Sequence, residues 1–171
     1  GALFKSQLDD AVNFSKQVTS LSRVLGVGAE EASALAVGVR SIFGDVDGFL
    51  AGAQKMVKTL NSNEDAIKRM GVATRDANGH FRETPDLIAD INAKLGQYKE
   101  GIDRDAAAQA VYGRSWQEML KYIKLTPEVL EEARAKASEV GLELSAQDQG
   151  AIRRYRQAMV GVHEVLEATS V

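Results

Sequence analysis

Apolar residues in this chain recur at the spacing of one helix face, and glycine cuts that pattern into short pieces. Phe4, Ala11, Val18 and Leu25 lie seven apart, with Phe14 and Leu21 between them. They form one stripe on a helix of about six turns over Leu3 to Leu25. Gly26 and Val27 follow, and the same punctuation recurs at Met70-Gly71-Val72 and Val140-Gly141-Leu142. Glycine just past a helix end takes the left-handed conformation without a Cβ clash, and the next apolar residue folds back onto the last turn. Ile67 is expected to meet Val72 in this way. A chain stopped so often has to fold as several helices whose stripes bury one another.

Ala29 to Phe43 and Val46 to Leu60 read as a second and a third helix, broken near Gly44-Asp45. Ser62 to Met70 reads as a short one, with Ser62 as cap and Asp65 completing a capping box. Glu64/Lys68 and Asp65/Arg69 are spaced to pair along its surface. Residues 71–83 interrupt the helical period. Asn78-Gly79 suits a type I′ hairpin turn, with Val72 and Phe81 on the arms. Both prolines follow a threonine, at Thr84-Pro85 and Thr126-Pro127. Each pair places Thr as N-cap and Pro at the first helical position, opening helices to Tyr98 and to about Val140. Between them lie a short Ala-rich helix, Arg104 to Val111, stopped by Gly113, and a helix from Trp116 to Ile123. Ser145 caps a last helix reaching at least Leu166. Its Ile152, Tyr155, Met159, Val162 and Leu166 form a coiled-coil-like seam about two heptads long.

The expected fold class is all-α in the main: a multi-helix bundle of short to medium helices with one small β-hairpin near residues 72–82. A single helical domain is expected over 1–171, in sub-blocks 1–70, 71–83 and 84–171. The pattern starts and stops inside helices, so the chain reads as a fragment of something longer. At 171 residues and 44% hydrophobic content it can bury a core and is too apolar for a disordered tail. Aromatic residues are only 6%, which favours thin, closely packed helices over a large aromatic core. A net charge of −3 argues against a general electrostatic grip on nucleic acid, which needs a basic face. There is no cysteine, so disulfides, thiolate metal sites and a cysteine nucleophile are excluded. Apolar runs are short: Ala34 to Val39 is closed by Arg40, whereas a membrane span needs roughly 20 residues.

Reactive side chains are scattered. The histidines, His80 beside the turn and His163 beside the last-helix seam, have no second ligand at a metal-binding spacing. Both read as surface or edge residues. Glu30-Glu31 and Glu131-Glu132 are adjacent pairs, so their members point to different sides of a helix and suit a solvated face better than paired acid–base work. No G-x-S-x-G elbow is present. Gly26-Val27-Gly28 is G-x-G, with no further glycine at the required place and no preceding strand, a weak nucleotide loop. Arg153-Arg154-Tyr155-Arg156 is the most basic cluster. It reads as an exposed charged face, with a phosphate or acidic-partner contact as the alternative. Trp116, the only tryptophan, reads as a packing anchor before a ligand shelf. No catalytic, metal-binding or cofactor-binding residue is assigned. The seam from Ile152 to Leu166 is either plain core packing or a self-association surface.

Five segments, in order, resemble the core of phage tail tape measure proteins. They are Met70-Gly71-Val72, Arg75 to Gly79 (Arg-Asp-Ala-Asn-Gly), Asp86 to Ile91, Ala108 to Ser115 ending in Tyr-Gly-Arg-Ser, and Glu131 to Ser145 ending in Gly-Leu-Glu-Leu-Ser. Trp116 departs from the small residue that the family places after Gly-Arg-Ser. The resemblance implies a long, mainly helical virion structural protein that occupies the tail tube lumen, sets tail length during assembly and leaves ahead of the DNA. It implies as partners other copies of itself, the tail tube, the tail tip and tail assembly chaperones. The implied location is the virion, after assembly in the bacterial host cytoplasm. It implies no enzyme activity and no cofactor for this segment. The rival readings are a helical protein–protein interaction module and a fragment of a cell-wall hydrolase.

A single unbroken helix of this length would span roughly 260 Å, at about 1.5 Å per residue. The glycine stops and Thr-Pro starts predict instead that the free chain folds back on itself. Small-angle scattering from the isolated chain at low concentration should give a globular profile, and a rod-like one would refute this.

Overall fold

A computed structural model describes residues 2–139 of the chain. Its elements are α1 (Ala2–Leu25), α2 (Ala29–Phe43), α3 (Val46–Ser62), α4 (Glu64–Lys68), α5 (Thr84–Gln97), α6 (Ile102–Tyr112), a 3-10 turn (Gly113–Ser115), α7 (Trp116–Leu120) and α8 (Pro127–Glu139). The fold is mainly helical, as the periodicity requires.

Helix α2 lies at the centre. Every residue from Ala32 to Val39 is buried, so this helix has no solvent face over two turns. Its side chains are small, which lets α1, α3 and α8 all pack on it. Val18, Leu21 and Leu25 of the α1 stripe are buried, and Phe14 is half-buried. Gly38 marks the closest approach: a Cβ there would sit 2.5 Å from the Cβ of Ala133 on α8. At Gly52 on α3 a Cβ would sit 1.8 Å from Sδ of Met119 on α7. Two glycines inside helices are thus explained by contact with a neighbouring helix.

The outer helices are tied by a few long-range polar contacts. Tyr122 packs edge-on against Phe43 and Phe49, with ring centroids 5.0 and 5.4 Å away. Its hydroxyl donates to the Asp45 carbonyl at 2.8 Å, pinning the α2–α3 corner. Buried Asn92 on α5 donates from Nδ2 to the Leu125 carbonyl at 3.0 Å. Thr59 on α3 donates to the Val111 carbonyl at the end of α6, at 2.7 Å.

The first two glycine stops behave as expected. Gly26 has φ +66°, and Val27 N–H reaches back to the Ser22 carbonyl at 3.2 Å, the Schellman pattern. Gly71 has φ +87°, and Ile67 and Val72 are buried in one apolar cluster. The third stop, Val140-Gly141-Leu142, lies outside the described residues, as do the Ser145 cap and the seam Ile152, Tyr155, Met159, Val162 and Leu166.

Four local expectations are corrected. The hairpin near residues 72–82 does not form strands; a single antiparallel bridge joins Arg75 and Phe81. Its turn is not type I′, because Asn78 does not have positive φ; among the described residues only glycines do. Gly79 N–H bonds the Asp76 carbonyl at 3.1 Å and Asp76 N–H bonds the His80 carbonyl at 2.8 Å, a three-residue loop with glycine in the left-handed position. Asp76 decides this, since its Oδ1 accepts from Asn78 N–H and His80 N–H and gives the backbone another partner. Ser62 does not cap α4: it ends α3 and its hydroxyl donates to the Lys58 carbonyl, leaving Asn63 at the cap position. Thr84 is the first residue of α5, one place inside the cap position held by Glu83. At the second Thr-Pro pair, Thr126 Oγ1 does accept from Val129 N–H, at 3.5 Å.

Two glycine replacements separate packing from backbone preference. Alanine gains about 1 kcal/mol over glycine inside a helix. Overlap in a close-packed core costs about 1–3 kcal/mol. Gly38→Ala should therefore lose stability on balance, because the Ala133 Cβ opposite is fixed to its backbone. Gly96→Ala, exposed with open space around it, should gain up to about 1 kcal/mol. Urea midpoints at unchanged slope check both.

Candidate functional site

The described residues place two polar clusters where separate segments meet. The first ties the loop after α4 to that helix. Glu64 accepts from Thr74 Oγ1 at 2.6 Å and from Arg75 Nε and Nη2 at 3.0 and 3.2 Å. The guanidinium thus grips both carboxylate oxygens, a geometry that favours the charged form. The Arg75 contact, with help from Thr74, holds the Glu64 carboxyl at about 2, below its ordinary 4.5. Arg75 also donates to the Gly79 carbonyl at 2.8 Å and lies 3.9 Å from the Phe81 ring centroid. Arg82 closes the other arm, reaching the Ala73 carbonyl and Asp90 Oδ2, each at 2.7 Å. These arginines spend their donors inside the fold and hold the loop in one shape.

The second cluster surrounds Arg134 on α8. Its Nε donates to both Glu31 oxygens, at 3.1 and 3.0 Å, and Nη2 reaches Glu31 as well and Asp86 Oδ1 at 3.2 Å. Nη1 donates to Glu131 one turn earlier. Three helices, α2, α5 and α8, converge on one guanidinium. The Glu31 contact, first among these, raises the Arg134 pKa further above its already high value.

The adjacent carboxylates separate as their spacing requires: Glu31 turns to Arg134 while Glu30 is exposed, and Glu131 turns to Arg134 while Glu132 is exposed. His80 is exposed beside the turn, its N–H bonded to Asp76. His163 and the cluster Arg153 to Arg156 lie outside the described residues. Gly26-Val27-Gly28 is the joint between α1 and α2, with Gly28 at the N-cap of α2. Trp116 is half-buried against the core, as a packing anchor. The Glu64–Lys68 pair forms at 3.6 Å, but Arg75 binds Glu64 more closely; Arg69 turns its Nε to the Asp65 carbonyl.

A shallow hollow of about 160 Å³ is lined by Asn13, Gln17, Arg40, Gly44 and Val46. Its side chains offer amide and guanidinium donors and no carboxylate, hydroxyl or imidazole. Among the described residues no three His, Cys, Asp or Glu side chains group as a metal site. Burial pushes the Tyr112 phenol well up and the Tyr122 phenol to about 12. The Tyr112 hydroxyl, fully buried, has no hydrogen-bond partner among the described residues. Both rings are core residues, not cleft residues, so neither marks a reactive centre. No described helix is long and apolar enough to cross a membrane. Sequence spacing missed Arg134 as a hub, since Glu31 and Asp86 lie 103 and 48 residues away; it missed Glu64 because Thr74 and Arg75, 10 and 11 residues on, are brought back by the loop and not by a helical period. Comparison of the chain with protein-family models, curated proteins and solved structures gave no match.

The Glu64 cluster makes the loop sensitive to acid. Folding lowers this carboxyl from 4.5 to about 2, so its contribution is complete above about 4.5 and is lost as pH falls towards 2. A carboxyl 13C titration should place the Glu64 midpoint near 2, with the shifts of residues 74–82 moving in step. In Glu64→Gln those loop shifts should no longer follow pH over that window.

Proposed function

We propose that this chain is a non-catalytic structural segment of a phage tail, part of a tape measure protein that sets tail length and fills the tube lumen before DNA ejection. The ordered set of motifs carries the reading. Three of the described motifs coincide with joints of the fold, whereas Asp86 to Ile91 lies inside α5. Gly71 ends the α4 turn, Arg75 to Gly79 forms the stapled loop, and Gly113-Arg114-Ser115 forms the 3-10 turn between α6 and α7. Defined residues at joints are what a helical protein needs to keep its helix lengths and breaks. The polar clusters fit the same role, since their charged groups face one another and not a cleft.

A helical interaction module is the second reading, favoured by the α2–α8 contact, in which one helix lies along a groove of small side chains. A hydrolase fragment has less support: a glycosidase needs two carboxylates across a cleft, and the hollow beside Arg40 is lined by none. The expected partners remain other copies of this chain, tube and tip subunits, and tail assembly chaperones.

Tail length tests the proposal. In-frame removal of this coding segment from its phage should shorten tails, by up to roughly 260 Å at about 1.5 Å per residue if the folded-back helices open end to end inside the tube. Electron microscopy measures it directly, and tails of unchanged length would remove the basis for the reading.

A further inference from the structure

Helix α8 is held to the rest of the fold chiefly through one neighbour, α2. It packs on α2 and, beside its start, on α5. Leu130 and Ala133 are its buried apolar side chains among the described residues, and Val129 is half-buried. Among the described side chains Arg134 adds a polar hold, joined to Glu31 and Asp86. The chain enters α8 near the C-terminal end of α2, where Tyr122 meets Phe43, and Arg134 has reached the first turn of α2 at Glu31. The two helices run antiparallel, with Gly38 against Ala133 and Glu31 against Arg134.

The connection before α8 has a fixed side and a free side. Leu125 is buried and its carbonyl is held by Asn92, so the fold is anchored up to that residue. Thr126 and Pro127 follow at once. Proline drives the preceding residue toward extended backbone and removes one N–H, so a chain can leave straight at this point without breaking a hydrogen bond to that nitrogen. Rotation about Thr126 alone swings α8 away from α2.

We propose that α8 is exchanged between two copies of this chain, each Arg134 pairing with Glu31 of the second copy. The face that α8 leaves is shaped for α8. Gly38 lacks the Cβ that Ala133 excludes, and Glu31 and Asp86 wait for a guanidinium one residue further on. A second copy presents Leu130, Ala133 and Arg134 at the required spacing, whereas an unrelated helix would have to reproduce all three. Exchange keeps every α2–α8 contact and changes only the hinge, the low-cost route to a dimer. Crowding of copies raises the effective concentration that favours it. The inference deepens the structural reading, on which it rests for the presence of several copies in one assembly.

Charge exchange between chains tests it. Arg134→Glu and Glu31→Arg are prepared as separate full-length chains carrying different isotope labels. Alone, each lacks the pair in any arrangement. Mixed at high concentration, an exchanged heterodimer restores it at both sites. Native mass spectrometry should show heterodimer in about tenfold excess over either homodimer. The melting temperature of the mixture should rise above that of either chain. If a variant is unfolded alone, helical circular dichroism should appear only on mixing. A mixture that stays the sum of its parts overturns the proposal. So does an unmodified chain that remains monomeric at every concentration, a measurement that needs no variant to fold. Unchanged tail length beside a clear heterodimer would remove the tail reading and leave helix exchange standing.

Discussion

Helix α2 has no solvent face from Ala32 to Val39, and the remaining helices are arranged to cover it. Eight consecutive buried positions cannot be served by one neighbour, because a helix turns through its whole circumference in fewer than four residues. Three neighbours are needed, and α1, α3 and α8 supply them. Small side chains make this possible. Alanine and glycine let the axes approach, and the approach is tight enough at Gly38 that a single methyl group would collide with Ala133. Stability here comes from close contact between thin helices and less from large buried rings.

Charged residues follow from that arrangement. Thin, closely packed helices leave few enclosed spaces, and the clustered ionisable groups settle where separate segments converge. Arg134 gathers carboxylates from α2 and α8 and from the start of α5; Glu64 gathers Thr74 and Arg75 from within the loop after α4. Each cluster joins opposite charges with their donors and acceptors used, and such clusters fix geometry more than they perform chemistry. That character agrees with a structural role in a larger assembly, the role proposed from the motifs.

Much of the fold was legible in the residues. The apolar stripe from Phe14 to Leu25 and the left-handed glycines at 26 and 71 act through neighbours within one or two helical turns, and local chemistry is what spacing reports. The bounds of α2, from Ala29 to Phe43, follow from Gly28 and Gly44 on either side. Errors arose where a nearby side chain competed for the same backbone groups. Asp76 took the N–H groups that an Asn-Gly turn would leave free, and Ser62 bonded back to Lys58 instead of forward as a cap. Of the candidate site, the separation of Glu30 from Glu31 was legible, because adjacent helical residues diverge. That Glu31 would meet Arg134 was not.

By itself the sequence determined that this protein is built of short helices, where most of them stop, and which side of each is apolar, because these properties depend on backbone conformation and on side chains a few residues apart. Only the tertiary structure decided which helix became the central one, why Gly38 and Gly52 carry no side chain, and which acids share Arg134. Those outcomes depend on pairs separated by up to 103 residues, whose meeting is set by how the helices pack and leaves no periodic trace along the chain.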